Sequence, residues 1–172
     1  MSLSLHQASV PVLVHGLRQL SHLLGQGQAH AAAQSLDPAA LIGARLAADM
    51  LPLSAQVQRA SDTAKMSVQR LSDVAAPKME DNEASFEELQ ARVAATIDYL
   101  LAVPASAFET DREITLKFGP LQARFDSARY LTEFALPNFF FHITTAYAIL
   151  RNQGVAIGKL DYLGRIGEVS AA

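Results

Sequence analysis

The sequence predicts an all-α protein: a four-helix bundle with a short β-hairpin between its third and fourth helices. Three observations carry this. Four segments of helical length repeat their apolar residues every three or four positions. One stretch, "REITLKFGPLQARF", alternates with a period of two on either side of Gly119-Pro120. Proline, glycine and capping residues separate these segments, with connections short enough for neighbouring helices to pack as a bundle. The 172 residues fit a single domain, 1–172, which buries roughly 70% of the surface its unfolded chain exposes. The part after about residue 164 reads as a flexible tail.

The first helix is expected near residues 5–25. Leu13, Gly16, Leu17, Leu20, Leu23 and Leu24 share one broad face, with His15, Arg18 and His22 on the other side. Pro11 has no N–H to donate to the carbonyl of Gln7, which predicts a kink or a late start. "GQGQAHAAAQ" reads as the exit into a connection, and Asp37-Pro38 as the cap and first residue of a short helical turn. The second long helix starts around Pro52. Val57, Ala60, Ala64, Val68 and Leu71 form its apolar stripe, with Ser54, Gln58, Arg59, Asp62, Lys65 and Gln69 outside it. "SDVAAPKMEDNEA" is a polar loop.

Ser85 and Glu88 have the spacing of a capping box, which starts the third helix; Phe86, Leu89, Val93, Ile97 and Leu100 are its buried stripe, and Val103-Pro104 ends it. In the hairpin Ile114, Leu116 and Phe118 alternate with polar residues, then Leu121, Ala123 and Phe125 alternate back. Two strands alone are marginal, so they must pack against a helix. The fourth helix runs from about Ser127 to Gln153, with Gly154 just past its end. Pro137 lies inside it and is expected to kink it, freeing the carbonyl of Glu133 near Asn138 and His142.

With 14 basic against 17 acidic residues, and no run of five like charges, the chain has neither a field for nucleic acid nor a polybasic membrane patch. The absence of cysteine excludes disulfides, a protein thiolate nucleophile and Cys-ligated metal. The N-terminus lacks the basic region of a signal peptide, and nothing approaches the ~20 apolar residues of a membrane helix, so a cytoplasmic protein is expected. Walker, GxGxxG, GxSxG, HExxH and EF-hand patterns are missing.

Two stretches, "LAADMLPLSAQVQRASDTAK" and "FALPNFFFHITTAYAILRNQGVAIGKLDYLG", closely resemble an uncharacterised branch of the DinB/YfiT-like bundles, and the match covers nearly the whole chain. The wider superfamily is described as one of metalloenzymes, and some members are metal-dependent S-transferases or isomerases that use low-molecular-weight thiols. Where present, their metal site takes one histidine from the second helix and two from an H-x-x-x-H turn of the fourth. The resemblance implies that site's location here, but the second helix has no histidine, and His142 has Asn138 four residues before it and Ala146 four after. Gln56 is the nearest polar group where the second-helix ligand would stand. One imidazole among neutral amides is a poor transition-metal site, and no metal or cofactor is expected.

The candidate site residues are therefore His142, Asn138, Gln56, Asp49 and Tyr130. His142 lies about 120° round the helix from Tyr130, at the edge of the buried face. It is either a core histidine with a hydrogen-bonded partner or part of a ligand pocket; buried without an anion, it stays neutral. Asp49 serves either as a polar group at one end of the bundle or as a helix cap. Tyr130 falls in a stripe with Phe134, Phe141 and Ala148 that reads as core. His15 and His22, seven apart and ~10 Å distant along the axis, read as surface or interface residues. The leading expectation is a metal-free bundle whose remnant pocket binds a small organic molecule, forming a homodimer as similar bundles commonly do. The alternatives are a metal-dependent enzyme resembling the thiol transferases, with His142 as the surviving ligand, and a structural or interaction module without chemistry.

Overall fold

The computed structural model describes residues 3–164, so the expected flexible tail lies outside the described residues. Helix α1 spans Leu5–Ala33, opened by a capping box in which Ser4 Oγ accepts from the N–H of Gln7 (3.2 Å) and Gln7 Oε1 accepts from the N–H of Ser4 (3.0 Å). It continues past both places where an interruption was expected. Pro11 is exposed within it, and the two glycines of "GQGQAHAAAQ" are helical. Gly27 has a packing reason to be there: a Cβ would meet Leu150 Cδ2 at 2.9 Å and Phe86 Cε1 at 3.3 Å. Gly16 is tighter still, with Phe139 Cε1 at 2.5 Å from the same hypothetical atom.

The short helix α2, Pro38–Ile42, is capped by Asp37, whose Oδ1 accepts from the N–H of Ala39 at 2.9 Å. Helix α3 is Leu53–Ser72 and α4 is Phe86–Ala102, started by the Ser85–Glu88 capping box and ended at Val103 before Pro104. Strands β1 (Ile114–Phe118) and β2 (Leu121–Phe125) pair antiparallel, with Phe118 opposite Leu121 across a turn at Gly119, whose φ of 58° favours glycine. The pair docks by Ile114 and Leu116, which are buried, and by Phe125 and Phe118, which approach the rings of Tyr130 and Phe134.

The fourth long helix differs most from expectation. It begins as α5, Ser127–Arg129, passes through a π-helical segment, Tyr130–Ala135, and continues as α6, Leu136–Asn152. Leu136 donates its N–H to the carbonyl of Leu131, five residues back, so the wider turn directly precedes Pro137. This turn shifts the register of everything after it. Phe141, assigned to the Tyr130 stripe by unbroken helical periodicity, is 54% exposed, and Phe139 takes the core position at 0%. The helix ends in a Schellman motif: Val155 N–H bonds the Leu150 carbonyl and Gly154 N–H that of Arg151, with Gly154 at φ 87°.

α1 packs chiefly against α4 and α6, and α3 packs against the same pair. Each long crossover, 34–52 and 103–126, therefore joins helices that do not share a main interface, which the prediction of short connections did not anticipate. The last element among the described residues is α7, Lys159–Leu163, held against α1 by His15 Nε2, which donates to the Leu163 carbonyl (2.9 Å), and by His22 Nε2, which donates to Asp161 Oδ1 (3.0 Å). These two histidines, expected as surface or interface residues, are exposed and fasten α7.

The loop after α3 is polar but not free. Arg92 of α4 lies buried beneath it and contacts Glu83 and Asp62 at 2.8 Å each and Asp81 at 3.0 Å. Gln58 and Lys65, placed outside the buried stripe by periodicity, are covered by the same loop. Gln58 bonds Glu83 (2.9 Å), and Lys65 bonds the Pro77 carbonyl (3.3 Å) and Asp62 (3.0 Å). Burial pushes the Glu83 carboxyl up, but hydrogen bonds from Arg92 and Gln58 outweigh it and hold the group below its ordinary value. Among the described residues no helix is long and apolar enough to cross a membrane.

Candidate functional site

Along α3, Arg59, Thr63, Met66 and Arg70 recur at i, i+4, i+7 and i+11, which places them on one stripe beside the buried one. On α6, Asn138 and His142 are four apart and share a face. These two faces meet under the docked hairpin. Between them lies a cleft of about 320 Å³, its outer wall formed by Thr115 to Phe118 of β1 and one end by Phe134 of the π turn. The volume falls at the lower end of the ~300–1,000 Å³ range of small-molecule sites.

Two hydrogen bonds tie the walls together. Asn138 Nδ2 donates to Thr63 Oγ1 at 2.8 Å, and that hydroxyl donates to the Arg59 carbonyl at 2.7 Å. His142 Nδ1 and Gln56 Oε1 are 2.8 Å apart. Because the Gln56 amide group donates to the Leu51 carbonyl (3.1 Å), its oxygen faces the imidazole, so Nδ1 carries the proton and donates. Nε2 is then left with a lone pair as the ring nitrogen available to the cleft. Burial, and next the positive charge of Arg59, hold the His142 pKa below its ordinary value, which favours this neutral form.

Tyr130 sits at the far end of the stripe, fully buried. Its hydroxyl contacts Ser67 Oγ at 3.2 Å, and Ser67 in turn donates to the Thr63 carbonyl at 2.6 Å. The same phenol oxygen accepts from Arg70 Nη1 at 3.0 Å, and the guanidinium lies 5.8 Å from the ring centroid. Tyr130 therefore acts on the cleft through Arg70 and does not line it. Asp49 lies apart: it is exposed in the turn before α3, whose N-cap is Pro52 with no side-chain bond, so it neither caps that helix nor reaches the site.

His142, Gln56 and Asn138 are thus brought together, Tyr130 joins indirectly, and Asp49 does not join. The sequence reading missed Arg59, Arg70, Lys117 and Phe134. The regular stripe on α3 could have shown the two arginines, but Lys117 depends on where the hairpin docks.

The donor set does not suit a metal of the kind the superfamily uses. Nδ1 of the single histidine is engaged by a protein amide, Asn138 faces a threonine, and Arg59 places positive charge nearby. Among the described residues no group of three or more His, Cys, Asp or Glu side chains is placed to hold an ion.

A family profile described as a domain of unknown function, DUF1993, matches residues 5–163. A crystal structure of a DinB family member protein from Shewanella denitrificans is similar along nearly the full length, with 35% identity, a TM-score of 0.89, and coverage of 97% of this chain and 96% of that one. No curated protein matches the chain.

Proposed function

The chain belongs to the DUF1993 family, a DinB-like branch, and from that premise we propose that it is a metal-free bundle binding a small organic molecule in the cleft beside His142. The observation that carries this is the direct bond between His142 Nδ1 and Gln56 Oε1. It spans the helices where the superfamily's metal site would lie, and it leaves one imidazole nitrogen, Nε2, to meet a ligand in a walled cleft.

Elemental analysis tests the metal-free half. Protein purified without a metal-affinity tag should carry no stoichiometric zinc, nickel, iron or manganese, and added metal should leave the melting temperature unchanged. Stoichiometric metal that disappears in His142→Ala would sink it and favour the thiol-transferase alternative.

A fragment screen followed by the imidazole resonances of His142 tests the ligand half. A ligand at 100 times its Kd adds ~2.7 kcal/mol of stability, and the gain should vanish in His142→Ala, which removes the imidazole that lines the cleft. A screen in which no compound moves His142 would sink the ligand half and, with metal absent as well, favour the structural-module alternative. In a homodimer, the second copy would cover the apolar face formed by the exposed Leu46 and Phe141 beside the half-buried Phe140; a monomer by sedimentation at all concentrations would exclude this.

A further inference from the structure

We infer that the cleft selects small organic anions: a carboxylate or phosphate monoester group pairs with Arg70 and Lys117, the body packs on Phe134, and a hydroxyl donates to His142 Nε2. This rests on the ligand-binding reading above and specifies its chemical class.

The charge inventory of the walls decides the sign. Arg59, Arg70 and Lys117 line the cleft, against one carboxylate, Asp62. That carboxylate is spent: Oδ1 is held by Arg92 and Lys65, and Oδ2 by Arg59 at 3.1 Å. Arg59 is itself engaged in ion pairs with Asp62 and with Asp81. Among the described residues, Arg70 and Lys117 have no carboxylate partner. Two uncompensated cations therefore remain among the lining residues.

Arg70 is also positioned in advance. Its Nη1 is anchored on the buried Tyr130 hydroxyl and its plane lies near that ring, so little side-chain freedom is lost when the remaining N–H groups meet an anion. A planar guanidinium matches the two oxygens of a carboxylate or phosphate. Across the cleft acceptors stand ready, since His142 Nε2 carries a lone pair and Asn138 keeps its amide oxygen while one of its two N–H bonds is held by Thr63. A ligand that satisfies both ends carries an acid group at one end and a hydroxyl at the other.

The test titrates the full chain, at fixed ionic strength, with 4-hydroxybenzoate, benzoate, phenyl phosphate, the neutral isostere 4-hydroxybenzamide, and inorganic phosphate. Affinity is read by calorimetry and location by the His142 imidazole resonances. 4-Hydroxybenzoate is expected to bind about tenfold or more tighter than the amide and tighter than benzoate. Lys117→Gln, at an exposed strand position, should weaken the acids severalfold and leave the amide unchanged. Arg70→Gln should do the same and more, and its folding is checked by its melting curve.

Equal binding of acid and amide would overturn anion selection while leaving the ligand pocket intact. Acid binding that survives both variants, or that leaves His142 unmoved, would overturn the assignment of these residues. If benzoate matches 4-hydroxybenzoate, the hydroxyl contact is wrong. Inorganic phosphate binding as tightly as phenyl phosphate would overturn the organic body. Silence from every probe up to millimolar concentration would overturn both this inference and the reading it rests on.

Discussion

Phe139 and Phe141 differ by two positions and by nearly everything else. Phe139 is fully buried against Gly16 of α1, whereas Phe141 is more than half exposed. Phe139→Ala should cost ~3–5 kcal/mol in urea unfolding, by lost transfer energy and the cavity left behind. Phe141→Ala, measured at low protein concentration, should stay within ~0.5 kcal/mol, as a surface change does. The glycines of α1 give a second matched pair. Gly16→Ala drives a methyl into the Phe139 ring and should lose ~1–3 kcal/mol. Gly25→Ala meets nothing within 4 Å and should gain up to about 1 kcal/mol from helix propensity. A common sign for both would contradict the α1–α6 packing described.

At the scale of elements, the loop between α3 and α4 is fixed by a buried guanidinium. Arg92→Met would leave the carboxylates of Glu83, Asp62 and Asp81 facing one another with their shared cation gone. Breaking such a pair from one side typically costs ~3–5 kcal/mol, and the loss should show as a fall in the denaturation midpoint together with faster amide exchange in 77–83. Local signals made much of the fold legible beforehand. The Ser85–Glu88 box, Asp37-Pro38, the Gly119-Pro120 turn and Gly154 each mark a boundary through backbone chemistry that needs no distant partner. The buried Gln58 and Lys65 were not legible, because only the folded loop covers them. Nor was the continuation of α1 through Gly27, whose missing side chain makes room for Leu150 and Phe86. In the site, the shared face of Asn138 and His142 followed from spacing alone, but the direct bond to Gln56 and the arrival of Lys117 follow from tertiary packing.

For the whole molecule, stability should fall in two stages as the solution is acidified. His142 has a folded pKa below its ordinary 6.5, so the unfolded chain takes up this proton first. Its contribution is complete above about pH 6.5 and is lost as the pH drops through that value. Glu83, also held below its ordinary 4.5, contributes above that pH and loses its contribution as the pH falls through its folded value. Urea midpoints from pH 8 to pH 3.5 should show both stages in the wild type and only the lower one in His142→Gln. A wild-type curve that is flat between pH 7.5 and 5.5 would mean that the imidazole is neither desolvated nor influenced by Arg59.

The π turn at Tyr130–Ala135 works as a phase shifter. It joins two stretches of one helix that answer to different partners: Tyr130 and Phe134 to the hairpin and Arg70, Asn138 and His142 to α3. An unbroken α-helix advances 100° per residue and could not keep both alignments with this number of residues between them. Deleting the exposed Thr132 would therefore let the wide turn close to ordinary α-helix with His142 still on Gln56 and Phe139 still on Gly16, whereas inserting one further residue there would rotate both away together.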